Sequence, residues 1–307
     1  MTSLITHTAA MVALHTLNVI STDLKTTNSR VSTGLRIATA RDSAAYWAIA
    51  TTTQSDTGAL TTVQDALAIG RATIDVVYTG LDSTRESLQT MKELLVAARQ
   101  PGVDRTNVQT QIAGLQTDMQ NKADAAVINE QNFLSVDSSA AGYNATKSVV
   151  AAFERSASGI AISTIDLDIS SIALVDPAGG TAAGLLDKDR TVGGTTDNVL
   201  AIDISALTDS AADLTTLEEY IGIVDAALID VIDASNTAGT VLARTDSQNA
   251  FISALIDANA RATGALIDAD MEEESTRLAA LQTQQQLSVA SLSIANASAT
   301  SVLALFS

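Results

Sequence analysis

The chain has no cysteine among its 307 residues, so disulfides, zinc–thiolate sites and thiol catalysis are excluded. Only two prolines occur, and aromatic residues make up 3%. Hydrophobic residues still reach 46%, carried mainly by Ala, Leu, Ile and Val, which points to long helices packed side by side. Positive charge is scarce: 17 Lys+Arg stand against 35 Asp+Glu, a net charge of −18. Phosphate backbones need clustered Lys and Arg, so no nucleic-acid partner is expected. No basic leader with a continuous apolar run opens the chain, and its Ser-, Asn- and Thr-rich end is no membrane span. Neither a secretory signal peptide nor a membrane partner is expected.

The most informative scarcity is local. No charged residue precedes Asp23 and none follows Arg277. Both ends are too polar for an ordinary core and too uncharged for an ordinary solvated tail. In the first, Ala10, Ala13, Leu17, Ile20, Leu24, Thr27 and Val31 alternate spacings of three and four, the signature of a heptad seam. In the second, Leu287, Ala290, Ile294, Ala297 and Ser301 do the same. Neither Gly nor Pro interrupts residues 265–307, so a continuous helix is predicted there. Seams built on Ala, Thr and Ser are marginal coils by themselves.

Between the ends, helical periodicity covers about 46–132, broken at Pro101-Gly102 by a turn signal. Seven of the sixteen glycines fall between Gly142 and Gly194. There "STIDLDIS" alternates Ile165, Leu167 and Ile169 with aspartates, and "NVLAIDIS" alternates Leu200, Ile202 and Ile204, so both read as strands. Helical patterning resumes near residue 211. The expected fold is mainly α, with a small β-containing insert at 141–210.

No catalytic constellation emerges. His7 and His15 lack metal-ligand spacing. Asp166 and Asp168 read as the solvated face of a half-buried strand. The acidic run Asp268–Ser275 reads as a helix start, where the macrodipole favours carboxylates. The Gly-rich stretches lack the Lys-Ser/Thr of a phosphate loop, and Asn144-Ala-Thr146 is only a weak glycosylation match. No cofactor, metal or enzymatic activity is expected.

Two end motifs carry a resemblance. "SRVSTGLRIATARDSAAYWAIA" resembles the N-terminal signature of bacterial flagellins through Arg30, Ser32, Thr33, Gly34, Arg36, Ile37, Ala40, Asp42, Ala44 and Ala45. "LIDADMEEESTRLAALQTQQQLSVASLSIANASATSVLALF" resembles their C-terminus, through Asp268 to Asp270, Glu273, Glu274, Gln284 to Gln286, Asn296, Val302, Leu303 and Leu305. The aromatic pair Tyr46-Trp47 is similar to flagellins of soil alpha-proteobacteria.

The resemblance implies a structural subunit that polymerises into the extracellular filament of swimming bacteria. The hook–filament junction protein, which shares the end motifs, is the alternative. It implies a terminal coiled-coil domain at 1–45 and 265–307, a helical bundle at 46–140 and 211–264, and a variable outer domain at 141–210. Leu17, Ile20, Leu24, Val31, Leu287, Ile294, Leu303 and Leu305 are expected to pack the filament core. Arg30, Gly34, Arg36 and Asp42 carry the family signature in the connecting segment. The implied partners are further copies of the chain, with or without sibling flagellins. An export chaperone and secretion apparatus, and cap and hook-junction proteins, are implied as well. Host receptors that read flagellin would meet altered positions at Ala38, Ser43, Tyr46, Trp47 and Thr90.

Overall fold

The computed structural model describes residues 8–156, 159–176 and 183–303, with side chains to residue 297. Five helices carry it: α1 (Thr8–Thr33), α2 (Ala44–Ala98), α3 (Arg105–Ala125), α4 (Ala211–Ile267) and α5 (Met271–Leu303). Six strands form three two-stranded antiparallel sheets: β1 (Val127–Ile128) with β2 (Gln131–Asn132), β3 (Thr146–Ser156) with β4 (Gly159–Asp168), and β5 (Arg190–Val192) with β6 (Thr195–Asp197). The fold is thus mainly helical with a small strand-containing middle.

Capping residues set the helix limits. Pro101-Gly102 turns the chain after α2, with Gly102 at φ +82°, where a side chain would be strained. The Asp104 carboxylate then accepts the Thr106 and Asn107 amides at 3.0 and 3.3 Å and starts α3. The helix expected to run unbroken from 265 is interrupted at residues 268–270. Asp270 is the reason: its carboxylate accepts the Glu272 and Glu273 amides at 2.9 and 3.2 Å, a cap that begins α5 anew. Buried threonines inside the long helices bond their own backbone. Thr84 donates to the Gly80 carbonyl at 2.8 Å and Thr245 to that of Val241 at 2.9 Å.

The chain divides into two compact units, Met1–Gly58 with Ile256–Ser307, and Ala59–Leu255. The helical bundle and the insert at 141–210 are one unit because they share one core. Leu81, Leu88 and Val224 from the helices are buried in the same cluster as Ile165, Leu167, Val199 and Ile204 from the insert.

Within the larger unit α2 and α4 run antiparallel, and polar pairs mark the register. Gln64 donates to Ser253 at 2.8 Å, Arg71 to Asp246 at 2.5 Å and Lys92 to Asp225 at 2.5 Å, and Arg99 pairs with Glu218. Successive pairs advance by seven or a multiple of seven along α2 and retreat equally along α4, the step that keeps a seam on one face. Tyr78 keeps the same step by lying against Gly239. Each exposed pair contributes little stability, about 0–1 kcal/mol. Their repeated spacing marks a single alignment.

The β3–β4 hairpin pairs Val149 with Ile165 and Lys147 with Leu167, and a bulge between Val150 and Ala152 follows. The predicted strand at "STIDLDIS" lies in β4 as far as Asp168. "NVLAIDIS" is not a strand, although Ile202 and Ile204 are buried. Its backbone is satisfied by a helix side chain instead of a neighbouring strand. Gln109 donates to the Ile202 carbonyl at 3.2 Å and accepts the Ile204 amide at 3.0 Å. Gln116 donates to the carbonyls of Val199 and Ile202 at 2.9 and 3.0 Å.

Glycine in α2 lets the insert close in. A Cβ on Gly70 would lie 2.2 Å from Val149 Cγ1, inside any permitted contact with a stiff β-branched side chain. Gly114 in α3 has nothing within 4 Å of that point. Gly70→Ala should therefore destabilise by about 1–3 kcal/mol through overpacking, despite its better helix propensity. Gly114→Ala should stabilise by up to about 1 kcal/mol. Urea unfolding of the full-length chain measures both, and adding Val149→Ala should relieve the Gly70→Ala defect alone.

Candidate functional site

In the smaller unit α1 packs on α5. The covered positions of α1 are Ala10, Ala13, Leu17, Ile20, Leu24, Thr27 and Val31, with Ser21 and Arg30 beside them. On α5 they are Glu274, Leu278, Leu281, Gln285, Ser288, Leu292 and Ala295. Both rows step by threes and fours. Arg30 donates to Glu274 at 2.9 Å, so the end of α1 meets the start of α5 and the pair is antiparallel.

This changes the reading of α5. Leu287 and Ile294 do not face α1: they are 65% and 71% exposed, with Val289 beside them. The sequence carries two stripes with the same spacing, and the one that holds Glu274, Gln285 and Ser288 among its leucines turns inward. Leu303's side chain and Leu305 lie outside the described residues, as does His7. Met11, Val12, Leu14 and Val19 of α1 are exposed as well.

The segment between α1 and α2 is tied to the break between α4 and α5. Gly34, at φ +72°, turns the chain out of α1 in a conformation that favours glycine. Leu35 and Asp268 form an antiparallel bridge. The Ala269 amide reaches the Gly34 carbonyl at 2.9 Å, and the Arg36 amide reaches the Ile267 carbonyl at 2.7 Å. The Arg36 guanidinium donates to the Leu266 carbonyl at 2.9 Å. Ile37, Ala50 and Ile267 bury together beneath this bridge, with Leu35 and Leu266 against them. Asp42 holds the next turn: one carboxylate oxygen accepts the Ala38 amide at 3.1 Å and the Thr39 amide and hydroxyl at 2.9 and 3.1 Å.

Sequence reading placed Glu274 in an acidic helix start and in the C-terminal resemblance, but not in a packing row. Counting threes and fours back from Leu292 through Ser288, Gln285, Leu281 and Leu278 lands on Glu274, a signal that was present. Ser43 is half-buried, Ala38 and Thr90 are exposed, and Tyr46 and Trp47 are 48% and 39% exposed. No cluster of metal-binding side chains and no helix long and apolar enough to cross a membrane occurs among the described residues.

Paired chain ends that leave large apolar side chains uncovered define a self-associating structural subunit. Residues 5–138 match the family described as the bacterial flagellin N-terminal helical region, and residues 221–306 match the bacterial flagellin C-terminal helical region. The chain is 41% identical to Flagellin C of Rhizobium meliloti strain 1021, over all of this chain and 99% of that one. It is 34% identical to Flagellin A of Rhizobium meliloti, over the whole of both chains. A flagellin of Brucella melitensis biotype 1 is 35% identical, over all of this chain and 99% of that one. The chain belongs to the bacterial flagellin family. It is a structural subunit of the extracellular flagellar filament and not an enzyme, and no finding favours the hook-junction alternative.

Asp42 makes a testable pH dependence. The Thr39 amide, then the Thr39 hydroxyl, hold its carboxyl below the ordinary aspartate value. A lowered folded pKa stabilises the turn above the unfolded value, and the effect is lost as pH falls through the lowered one. Hydrogen exchange of the 36–45 segment, corrected for intrinsic rates, should show protection falling in that acid window. Asp42→Asn should raise exchange at Ala38 and Thr39 by roughly 3–10-fold at neutral pH and remove the acid step, the loss expected of about one charge-assisted hydrogen bond.

Proposed function

We propose that the paired ends are the assembly element of this subunit, with one face spent on closing α1 against α5 and the other kept for neighbouring copies. Leu17, Ile20, Leu24 and Val31 serve the first purpose. Leu287 and Ile294 serve the second, together with Leu303 and Leu305 at the chain's end. The observation that carries this reading is the exposure of Leu287 and Ile294 on a helix whose inner face holds Gln285 and Ser288. Burying a Leu or Ile side chain is worth about 1.5–3 kcal/mol, an energy that only another molecule can supply at these positions. The absence of charge from both ends agrees with it, because no ion has to be stripped of water when copies meet.

A weak seam also suits passage through a narrow secretion channel before assembly. An export chaperone that shields the ends, the secretion apparatus, and cap and hook-junction proteins are the partners this role requires. Arg30, Gly34, Arg36 and Asp42 hold the connecting segment in its bridged form. The altered positions Ala38, Ser43, Tyr46, Trp47 and Thr90 make the chain a poor ligand for host flagellin receptors. Exposed rings at 46 and 47 obstruct close backbone approach, and Thr90 offers no guanidinium fork.

Leu287→Ser with Ile294→Ser should leave helical content and the unfolding of the Ala59–Leu255 unit unchanged while abolishing filaments in electron micrographs. A chain ending at Thr276 should lose the helical signal of α5, keep its central helices and likewise form no filaments. Normal filaments from either would remove the assembly role from this face. Purified chain and a Ser29–Ala50 peptide should be weaker than a flagellin with the common motif in receptor reporter cells, and equal potency would refute that part.

A further inference from the structure

The inner face of α5 poses a problem that hydrophobicity does not solve. At 3.6 residues per turn, Leu287 and Ile294 lie about a third of a turn round the helix from the centre of the row Gln285, Ser288, Leu292 and Ala295. Both rows step by threes and fours, so either fits a heptad seam. Rolling α5 to cover Leu287 and Ile294 would uncover Leu278, Leu281 and Leu292, so apolar burial does not decide between the two rows. The backbone bridge at Leu35 and Asp268 sets where α5 begins along α1. A helix with a fixed start can still rotate about its axis.

Glu274 is the first member of the inward row, and its side chain is only 6% exposed. One oxygen accepts from Arg30 at 2.9 Å, while the other is buried without a hydrogen-bond partner. Arg277, one turn on, comes no closer than 3.7 Å. A buried carboxylate so incompletely satisfied is poor value as a stabiliser, since desolvation offsets most of what the pairing returns. The best-attested use of such a group is to specify one alignment among several of similar energy.

We propose that the Arg30–Glu274 pair is the rotational key of the terminal coil. It turns the row of Glu274, Gln285 and Ser288 toward α1 and thereby keeps Leu287, Val289 and Ile294 outward for other copies of the chain. Were α5 to roll by about a third of a turn, Glu274 would leave Arg30, and the row of Leu287 and Ile294 would be consumed within the subunit. Arg30 and Glu274 are positioning residues. They need touch no neighbouring copy to decide whether the contact surface exists. The proposal rests on the assembly reading above.

The absence of cysteine allows a direct test. Leu17 and Ser288 occupy facing steps of the two rows, whereas Leu287 faces Leu17 only after rotation. Two cysteine pairs, Leu17→Cys with Ser288→Cys and Leu17→Cys with Leu287→Cys, are placed in the full-length chain. Each is expressed as a minority with excess parent chain, and intrachain disulfides are measured in both filaments and soluble chain. With Arg30 and Glu274 intact the 17–288 link should exceed the 17–287 link by roughly tenfold or more, as expected when a buried pair fixes the alignment. Glu274→Gln should erase most of that preference. The reversed pair, Arg30→Glu with Glu274→Arg, should restore both the preference and entry into filaments. Undiminished preference in Glu274→Gln overturns the proposal. So does a reversed pair that fails to restore the preference or filament entry, and so does the absence of both links in the parent background. Absence of any filaments from the parent chain would instead defeat the assembly reading, which keeps the two failures apart.

Discussion

The antiparallel closure of α1 on α5 is the contact on which the smaller unit depends. Among the described residues it is anchored where Arg30 meets Glu274 and where Gly34, Leu35 and Arg36 bond residues 266–269. Away from that anchor the seam is carried by Ala, Thr, Ser, Gln and a few Leu and Ile side chains. Such a seam buries too little apolar surface to offset by a wide margin the entropy of ordering two long helices. Charge would not help, because burying unpaired ions costs more than these small side chains return. The uncharged ends and the weak seam follow from one constraint: residues that must be enclosed among copies have to be cheap to desolvate.

The larger unit meets the opposite demand. It carries most of the acidity and aligns its helices with charged pairs that stay in water. The α2–α4 pairs at heptad steps contribute little each, but a slip by one step would break all of them together. Its insert is bonded to the helices rather than hung from them. Gln109 and Gln116 take the place of a missing strand, Gly70 admits Val149, and Asp230 on α4 holds the buried Arg190 of β5 at 2.6 Å. Glu219 does likewise for the β5–β6 turn. It accepts the Thr195 hydroxyl and the Gly194 amide, and these bonds hold its carboxyl below the ordinary glutamate value.

Much of this was legible in the residues. The α1 row could be counted directly, Pro101-Gly102 marked its turn, and Ile165 and Leu167 announced β4. The misreadings have specific physical causes. "NVLAIDIS" alternates like a strand because Ile202 and Ile204 are buried alternately, but no periodicity reveals that a glutamine amide will serve its backbone. The helix break at 268–270 contains neither Gly nor Pro; it comes from an aspartate cap, which composition alone does not separate from an acidic face. The exposure of Leu287 and Ile294 was not legible either, because an apolar row at heptad spacing does not say which helix covers it.

That exposure is instructive about how this chain distributes its binding energy. In a monomer selected only to fold, Leu287 and Ile294 would be covered as Leu278, Leu281 and Leu292 are. The observed arrangement leaves several large apolar side chains uncovered on each copy, at a stability cost the isolated subunit bears alone. It is tolerable because the cost is recovered when copies meet, and because the subunit's charge of −18 keeps copies apart in dilute solution. Electrostatic repulsion grows with every copy added, so it has to be borne by residues distant from the contact surface. The charge-free first 22 residues, and those after Arg277, meet that requirement. Acidity elsewhere and its absence at the ends are therefore complementary: one opposes indiscriminate association, and the other leaves the apolar row as the place where association is favourable.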